Sequence, residues 1–182
     1  NNKKEGIYFT GIPDISVDPI NGFGYGGEGS LFFNGKRDQP FFQYTPYNAE
    51  LDIAVFNTTK NQRELMFVFD MPYVMRTPWR LRAEAGFETN PNLLYIGGNH
   101  SSLSGLSLYP NNDSSQGQIH QLNYSNYEKL MNQFGLGLYN GYTKNESILN
   151  VSMERSFFES KMRALVGFEM AKLNITTAGP RS

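Results

Sequence analysis

The pair of residues that comes nearest to a catalytic set is a histidine two positions before a serine. His100 and Ser102 follow Asn99, and nucleophilic catalysis needs a base within hydrogen-bonding reach of the hydroxyl and a third group to orient the imidazole. These residues lie in a polar stretch, residues 97–105, where strand geometry is not expected. Short motifs of this kind often arise by chance, so a solvated loop is the favoured interpretation and an esterase the least favoured function.

The residue types of the chain also disfavour metal and cofactor chemistry. The sequence has two histidines and no cysteine, which excludes a zinc knuckle, a disulfide framework and a thiol nucleophile. The second histidine, His120, has no carboxylate at a spacing typical of a metal site, so a surface position is the simpler interpretation. We therefore expect neither an enzyme nor a bound cofactor or metal ion.

Charged residues within the predicted strands form the main candidate site. They carry both signs of charge and alternate with apolar residues, which is the pattern of a sheet with one ionic face. Opposite charges on such a face can form a network of ion pairs, and no motif supports a general acid–base pair among them. The residues that we expect to line an enclosed lumen are Glu28, Asp52, Asp70, Arg80, Arg82, Glu84, Glu154, Arg163 and Glu169.

The elements that must position these charges are strands. Apolar and polar residues alternate most clearly in residues 79–88, where Trp79, Leu81 and Ala83 are separated by Arg80 and Arg82. The same alternation recurs along the chain, and the aromatic content of 14% is typical of strands. The predicted strands cover residues 6–17, 22–34, 47–56, 64–71, 79–88, 149–154 and 162–171.

The connections between these strands differ in length from one end of the predicted sheet to the other. If the first strand runs outward, residues 34–46, 72–78 and 157–161 lie at the inner end, and two of these three connections are short. The outer end then carries a very long loop, residues 89–145, with a predicted short helix near residues 126–134. Short inner turns and longer outer loops are typical of bacterial outer-membrane barrels.

Alternation alone is equally compatible with a soluble β-sandwich and with a membrane barrel. In a sandwich the apolar face points inward, whereas in a barrel it contacts lipid and the charged face lines the lumen. The long apolar faces, the mixed charges and the aromatic residues near strand ends favour the barrel. An aromatic girdle is predicted from Phe41, Phe42, Tyr44 and Tyr47.

Hydropathy and net charge narrow the possible partners. Mean hydropathy is -0.48, and there is no apolar run of the roughly 18 residues that a membrane-spanning helix needs. Spanning strands need only alternate apolar residues, so this does not exclude a barrel. The net charge of -1 gives no reason to expect a nucleic acid as a partner.

A series of strand and turn motifs resembles a known family. Residues 18–26 join a turn to a Gly-Phe-Gly-Tyr-Gly strand, and residues 69–73 end the fourth strand in Pro-Tyr. Residues 77–82 then alternate basic and apolar side chains, residues 87–98 lead into the long loop, and residues 156–169 form another hairpin. In this order they resemble the surface-antigen (D15) branch of the Omp85 superfamily, which includes the BamA and TamA barrels. The resemblance covers most of the chain apart from roughly residues 99–145.

The resemblance implies a transmembrane antiparallel β-barrel in the outer membrane of a Gram-negative bacterium. Such barrels have sixteen strands and soluble periplasmic repeats before them, so residues 1–182 would be the N-terminal portion of a barrel. The implied partners are membrane lipid and lipopolysaccharide, further strands from the same protein or a partner chain, and other subunits of an outer-membrane complex. The implied role is insertion or translocation of proteins or lipids. A passive channel or a structural barrel subunit is the alternative.

Overall fold

The protein is all-β in the part of the chain that the computed structural model describes, residues 3–40, 42–94, 106–108, 119–122, 141–158 and 161–177. Nine strands account for almost all of its regular structure, with one short 3-10 turn at Val74–Arg76. The strands are β1 (Ile7–Asp18), β2 (Gly22–Phe33), β3 (Ala49–Thr58), β4 (Arg63–Met71), β5 (Trp79–Leu94), β6 (Leu106–Leu108), β7 (Ile119–Leu122), β8 (Gly141–Phe157) and β9 (Met162–Thr177).

Seven of these strands form one antiparallel sheet in the order β1-β2-β3-β4-β5-β8-β9. The seven predicted strands and their antiparallel arrangement are thereby confirmed. Successive connections alternate between two ends, which we name the lower end (residues 34–48, 72–78 and 158–161) and the upper end (the remaining connections). The sheet is open, because β1 and β9 are its edges, and β6 and β7 form a separate hairpin.

The hydrogen-bond register sorts the side chains onto two faces. Paired residues have the same parity from β1 to β8, as in Ser30 opposite Asp52, except beyond a bulge in β5 between Asn90 and Leu93. The parity differs along the whole β8–β9 ladder, where Asn150 pairs with Glu169. Odd-numbered residues therefore share one face in β1–β5 and β8, and even-numbered residues of β9 join them there. We call this the apolar face and the opposite one the ionic face.

The apolar face is exposed rather than packed into a core. Val17, Val166 and Phe168 are 82%, 72% and 61% exposed, and Phe42 and Ala49 are the buried hydrophobic residues of the described chain. A contiguous apolar surface of this kind is rare on a monomeric soluble protein and marks a surface that something else covers.

Three strands extend well beyond the alternation that predicted them, since β9 continues from residue 171 to Thr177 and both β5 and β8 are longer at the upper end. β5 continues to Leu94 and β8 begins at Gly141, so the long connection is shorter than residues 89–145 and includes the β6–β7 hairpin. The added part of the β5–β8 ladder pairs polar side chains. For example, the Thr89 hydroxyl donates a hydrogen bond to the Asn145 amide oxygen at 2.8 Å. The predicted helix near residues 126–134 lies outside the described residues.

Close approach of β2 and β3 requires glycine at position 26. A Cβ atom there would collide with the carbonyl oxygen of Val55 and would lie 2.8 Å from the Cα of Phe56. We expect Gly26→Ala to lower the free energy of unfolding by about 1–3 kcal/mol, because backbone atoms must move to admit it. Gly167→Ala is the matched control, since its nearest neighbours would lie at 3.6 Å. Urea unfolding of the two variants would test this, and equal midpoints would contradict the observed β2–β3 pairing.

Candidate functional site

The ionic face holds every carboxylate of the seven-stranded sheet. Four basic residues accompany them there, Arg80, Arg82, Lys144 and Arg163, so the face is strongly acidic. All nine charged residues predicted to line a lumen lie on this face, whereas their lumenal role stays a prediction. The carboxylates are Asp14, Asp18, Glu28, Glu50, Asp52, Glu64, Asp70, Glu84, Glu88, Glu146, Glu154 and Glu169.

Ion pairs link neighbouring strands across this face. Arg80 contacts both carboxylate oxygens of Asp70, Nε to Oδ1 at 2.7 Å and a terminal nitrogen to Oδ2 at 2.9 Å. Asp70 is only 5% exposed, and a buried carboxylate is stable only when it is paired in this way. Arg163 pairs with Glu154 at 3.2 Å between Nε and Oε1. The alternation therefore identified two real pairs of opposite charge.

A third cluster of charges was not predicted. The Lys144 ammonium lies 2.8 Å from a Glu88 oxygen and 2.6 Å from a Glu146 oxygen. Lys144 and Glu146 were missed because they lie in the segment predicted as a loop. Lys144 and Glu146 are even-numbered like Asn150 and Glu154, so they lie on the same face of β8. Extending the predicted strand toward its N-terminal end would have placed them on the ionic face.

A cleft of about 540 Å³ lies over the middle of the ionic face. Five carboxylates line it, together with Ala54, Met66, Gly86 and Ile148 from the centres of four adjacent strands. Position 86 has little room for a side chain, because a Cβ atom at Gly86 would lie 2.9 Å from the Ile148 side chain. The carboxylates of the cleft are Asp14, Glu28, Glu64, Glu88 and Glu146.

Residues 34–48, which we name the strap, fold back toward the ionic face at its lower end. The Tyr47 hydroxyl donates to Asp70 Oδ2 at 2.6 Å, and its ring centroid lies 5.8 Å from that of Phe32 on the same face. Burial raises the pKa of Tyr47, so the hydroxyl keeps the proton that it donates. The strand predicted for residues 47–56 begins two residues later, at Ala49, so Tyr47 lies outside the ladder.

The strap is also attached to the first residues of the chain. The Lys3 ammonium donates to the carbonyl oxygens of Phe42 and Thr45, at 3.1 Å each, and lies 4.4 Å from the centre of the Phe42 ring. The buried Asn34 amide donates to the Lys4 carbonyl oxygen at 2.8 Å. Phe42 is thus inside the molecule rather than in the predicted girdle, whereas Tyr44 is 84% exposed. Phe41 lies outside the described residues.

Side chains connect the turns at the upper end as well. The Asn92 amide donates to the carbonyl oxygen of Lys60 at 2.8 Å and to the side-chain oxygen of Asn21 at 3.2 Å. The Lys60 ammonium donates to the Pro19 carbonyl oxygen at 3.0 Å. The β1–β2 turn, the β3–β4 turn and the last part of β5 therefore form one cross-linked edge above the cleft.

On the apolar face, each strand carries a run of apolar residues with polar residues or the strand end above and below it. Together these runs form a band, which we name the apolar band, and it crosses the strands obliquely. At its upper border, Pro13 of β1 is level in register with Lys172 of β9. The apolar residues of β1 continue four positions above that level, to Val17, whereas those of β9 begin two positions below it, at Met170. At its lower border, Ile7 is level with Val166, but the apolar residues of β9 continue four positions further, to Met162. From β1 to β9, which are six strand-to-strand steps apart, the apolar band therefore shifts toward the lower end by four to six residues.

Basic and aromatic residues mark the borders of this band. Arg155 lies at the lower border between two rings, with its guanidinium carbon 5.5 Å from the centre of Trp79 and 4.8 Å from that of Phe157. Arg63 and Lys172 lie near the upper border. The three basic residues of the apolar face are therefore all at its margins, where long side chains can reach a polar environment.

Chemistry of other kinds has little support in the described chain. No group of three or more histidine, cysteine or acidic side chains is arranged to hold a metal ion there. None of its helices has the length and apolar character needed to cross a membrane. His100 and Ser102 lie outside the described residues, as does the side chain of His120, so the esterase hypothesis stays a sequence-based one.

Comparison with known proteins gives one partial match. A family model described as a domain of unknown function (DUF5982) matches residues 1–48. No curated protein and no solved structure matches the chain. The match covers 48 of the 182 residues and ends with the strap. It therefore corresponds to the hairpin of β1 and β2 together with the segment that folds back under it.

The hydrogen bond from Tyr47 to Asp70 predicts how firmly the strap is held. Tyr47→Phe removes a bond to a charged acceptor, so we expect the local opening of the strap to increase about tenfold. Trypsin provides the measurement, because Lys36 and Arg37 are exposed cleavage sites within the strap. Tyr44→Phe is the matched control and should leave the cleavage rate unchanged, since its ring is 84% exposed. Equal cleavage rates for the two variants would contradict the contact.

Proposed function

We propose that this chain is a sector of a transmembrane β-barrel in a bacterial outer membrane, with its apolar band in the hydrocarbon and its ionic face toward an enclosed lumen. The oblique apolar band carries the proposal. A bilayer is flat, whereas the strands of a barrel are tilted, so a lipid-facing band must shift along each successive strand. The apolar side of a soluble sandwich has no such requirement.

The measured descent agrees with the tilt of membrane strands. The apolar band shifts by four to six residues, each with a rise of about 3.4 Å, across six strand spacings of about 4.8 Å. If the band lies parallel to the membrane, the strands are tilted by about 25–35° from the membrane normal. Outer-membrane strands tilt by roughly 35–45°. From Trp79 to Phe87 the band of β5 is about 27 Å long, or about 22 Å measured across a bilayer at this tilt, close to the roughly 25 Å apolar band of such barrels.

The distribution of charge supports the same orientation. A carboxylate facing hydrocarbon is strongly disfavoured, and the apolar face of the seven-stranded sheet has none. The charges of the ionic face can be solvated in a water-filled lumen or paired with one another, as Asp70 and Arg80 are. The ring contacts of Arg155 with Trp79 and Phe157 fit the aromatic girdle found where such a band ends.

Closure of the barrel requires strands beyond these seven. The open edges, β1 and β9, are 12 and 16 residues long, and about every second residue of each leaves its backbone N–H and C=O unpaired. Each unsatisfied polar group in hydrocarbon costs several kcal/mol. Further strands must therefore pair with both edges in the membrane. They come from another part of the same protein or from a partner chain, and the Omp85 resemblance favours a total of sixteen.

The proposed activity is insertion or translocation of proteins or lipids at the outer membrane. It rests on the resemblance to the Omp85 superfamily, and the strap supports it, because an element folded across the lower end of the lumen is unsuited to free diffusion. A passive channel is the second candidate. The acidic cleft favours it, since rings of carboxylates select cations in channels.

The face assignment is tested by introducing the same side chain on opposite faces. Ala83→Arg places a charge in the apolar band and should destabilise the protein in lipid vesicles by about 2–4 kcal/mol. Ala54→Arg places it beside Glu28 and Met66, its paired neighbours on the ionic face, and should have a much smaller effect. Folding yields into vesicles would be compared, and equal losses would argue for a soluble domain.

Two measurements separate the candidate activities. Silencing the gene should deplete other outer-membrane proteins or alter outer-membrane lipid if the protein is an insertase or translocase. A passive channel should instead conduct ions steadily in planar bilayers, with cation preference, and should leave the other membrane components unchanged. Steady conductance without any depletion would overturn the insertase proposal.

A further inference from the structure

We propose that the lower end of the sheet binds an anionic phospholipid headgroup in a cleft between the strap and the β4–β5 turn, with Arg76 holding the phosphate. This inference rests on the proposed function, because it needs the apolar band to lie in a bilayer. It adds a binding site and a ligand class that the barrel by itself does not imply.

Backbone conformation at the lower turns gives the first argument. Met75, Arg76 and Phe158 adopt φ angles of 50°, 65° and 51°, a left-handed conformation that is unfavourable for bulky side chains. The upper turns use Gly22 and Asn61 at their positive φ angles, residues that adopt this conformation at little cost. Among the described residues, bulky side chains with this strained backbone occur at the lower end of the sheet, and such strain is typical of positions whose side chains have a function.

These strained side chains project outward. Met75 is 90% exposed and Phe158 is 73% exposed, so neither stabilises the folded chain by burial. Arg76 is exposed and forms no ion pair with any other described residue. An apolar side chain beside an unpaired arginine matches the boundary between acyl chains and phosphate groups, where both can be satisfied at once.

The cleft itself combines polar and apolar groups. Its volume is about 200 Å³, and its lining includes the side chains of Gln39, Asn48, Met71, Met75 and Arg76. Amide groups and a guanidinium can donate hydrogen bonds to phosphate or glycerol oxygens, and arginine binds phosphate through two parallel bonds. The methionines can contact the start of an acyl chain.

The strap has the backbone geometry that places the two amides together. Gly35 has a φ of 77°, and a Cβ atom there would collide with both the Gln39 side-chain oxygen and the Asn48 side-chain nitrogen. Only glycine allows this approach. The Gln39 oxygen accepts from the Lys36 amide at 3.3 Å, so that side chain is already oriented.

Depth and charge identify the occupant as a phospholipid. Arg76 precedes Trp79 by three residues, and Trp79 marks the lower border of the apolar band, so the cleft lies where headgroups begin. Exposed basic residues of the lower connections also outnumber the acidic ones among the described residues, with Lys36, Arg37, Arg76 and Lys161 against Asp38. An anionic headgroup is therefore preferred to a neutral one.

Trp79 provides an internal probe of the bound lipid. The full-length protein would be reconstituted into vesicles of phosphatidylcholine and phosphatidylglycerol, in which one lipid at a time carries bromine on its acyl chains. Trp79 is the one tryptophan of residues 1–182, and any tryptophan elsewhere in the protein would be replaced by phenylalanine. Brominated lipid quenches a tryptophan that it contacts. We expect an effective preference of about fivefold for phosphatidylglycerol, the value for one basic residue at a charged membrane surface.

Variants identify the residues responsible. Arg76→Gln should reduce the preference to about one, whereas Arg37→Gln should leave it unchanged, because Arg37 already lies 3.7 Å from Glu5 and is outside the cleft. Met75→Asn should weaken quenching by phosphatidylglycerol while raising the midpoint of unfolding, since asparagine relieves the left-handed backbone. A merely structural role of Met75 would not give opposite changes in the two measurements.

The outcomes separate this inference from the proposed function. Equal quenching by the two lipids, or a preference unaffected by Arg76→Gln, would overturn the headgroup site and leave the membrane sheet intact. Absence of quenching by either lipid would mean that Trp79 does not contact a bilayer, and the membrane barrel would be overturned together with the headgroup site. The predicted preference and its loss in Arg76→Gln would support both.

Discussion

The antiparallel register of the sheet, which is regular in every ladder apart from one bulge near the end of β5, is the constraint on which its organisation depends. Side chains alternate between faces, so a slip of one residue in any ladder would move a full set of carboxylates onto the apolar face. The change of parity between β8 and β9 is matched by a change of parity in the sequence, because Arg163 and Glu169 are odd-numbered where Glu154 is even-numbered. Pairing and charge pattern thus specify the same structure, and this agreement makes the two faces chemically distinct.

Each end of the sheet is closed by a different kind of contact. At the upper end, short turns are joined by neutral hydrogen bonds such as those of Asn92. At the lower end, the strap covers a buried carboxylate, and the bonds of Asp70 to Tyr47 and Arg80 compensate for the removal of its charge from water. The lower end therefore has the more specific structure, and small changes there have large effects.

The sequence predicted the strands well because alternation is a local property that each strand displays by itself. It predicted the ionic face for the same reason. It missed Lys144 and Glu146 because the extensions of β5 and β8 place polar residues such as Thr89 and Asn145 where the alternation needs apolar ones, although these two residues pair regularly. The fold of the strap could not be predicted from the sequence. Tyr47 continues a strand-like pattern in the sequence, but its hydroxyl bonds to Asp70, 23 residues away, and no local pattern identifies such a partner.

The contact between Tyr47 and Asp70 joins the segment that matches the DUF5982 model to a part of the chain beyond that match. Tyr47 belongs to the segment that matches the DUF5982 model, which ends at residue 48, whereas Asp70 and Arg80 lie beyond it. A β1–β2 unit transferred to another sheet would carry the donor without its acceptor. The two segments therefore depend on one another, because without Tyr47 the buried Asp70 loses a hydrogen bond, and without Asp70 the Tyr47 hydroxyl loses an acceptor.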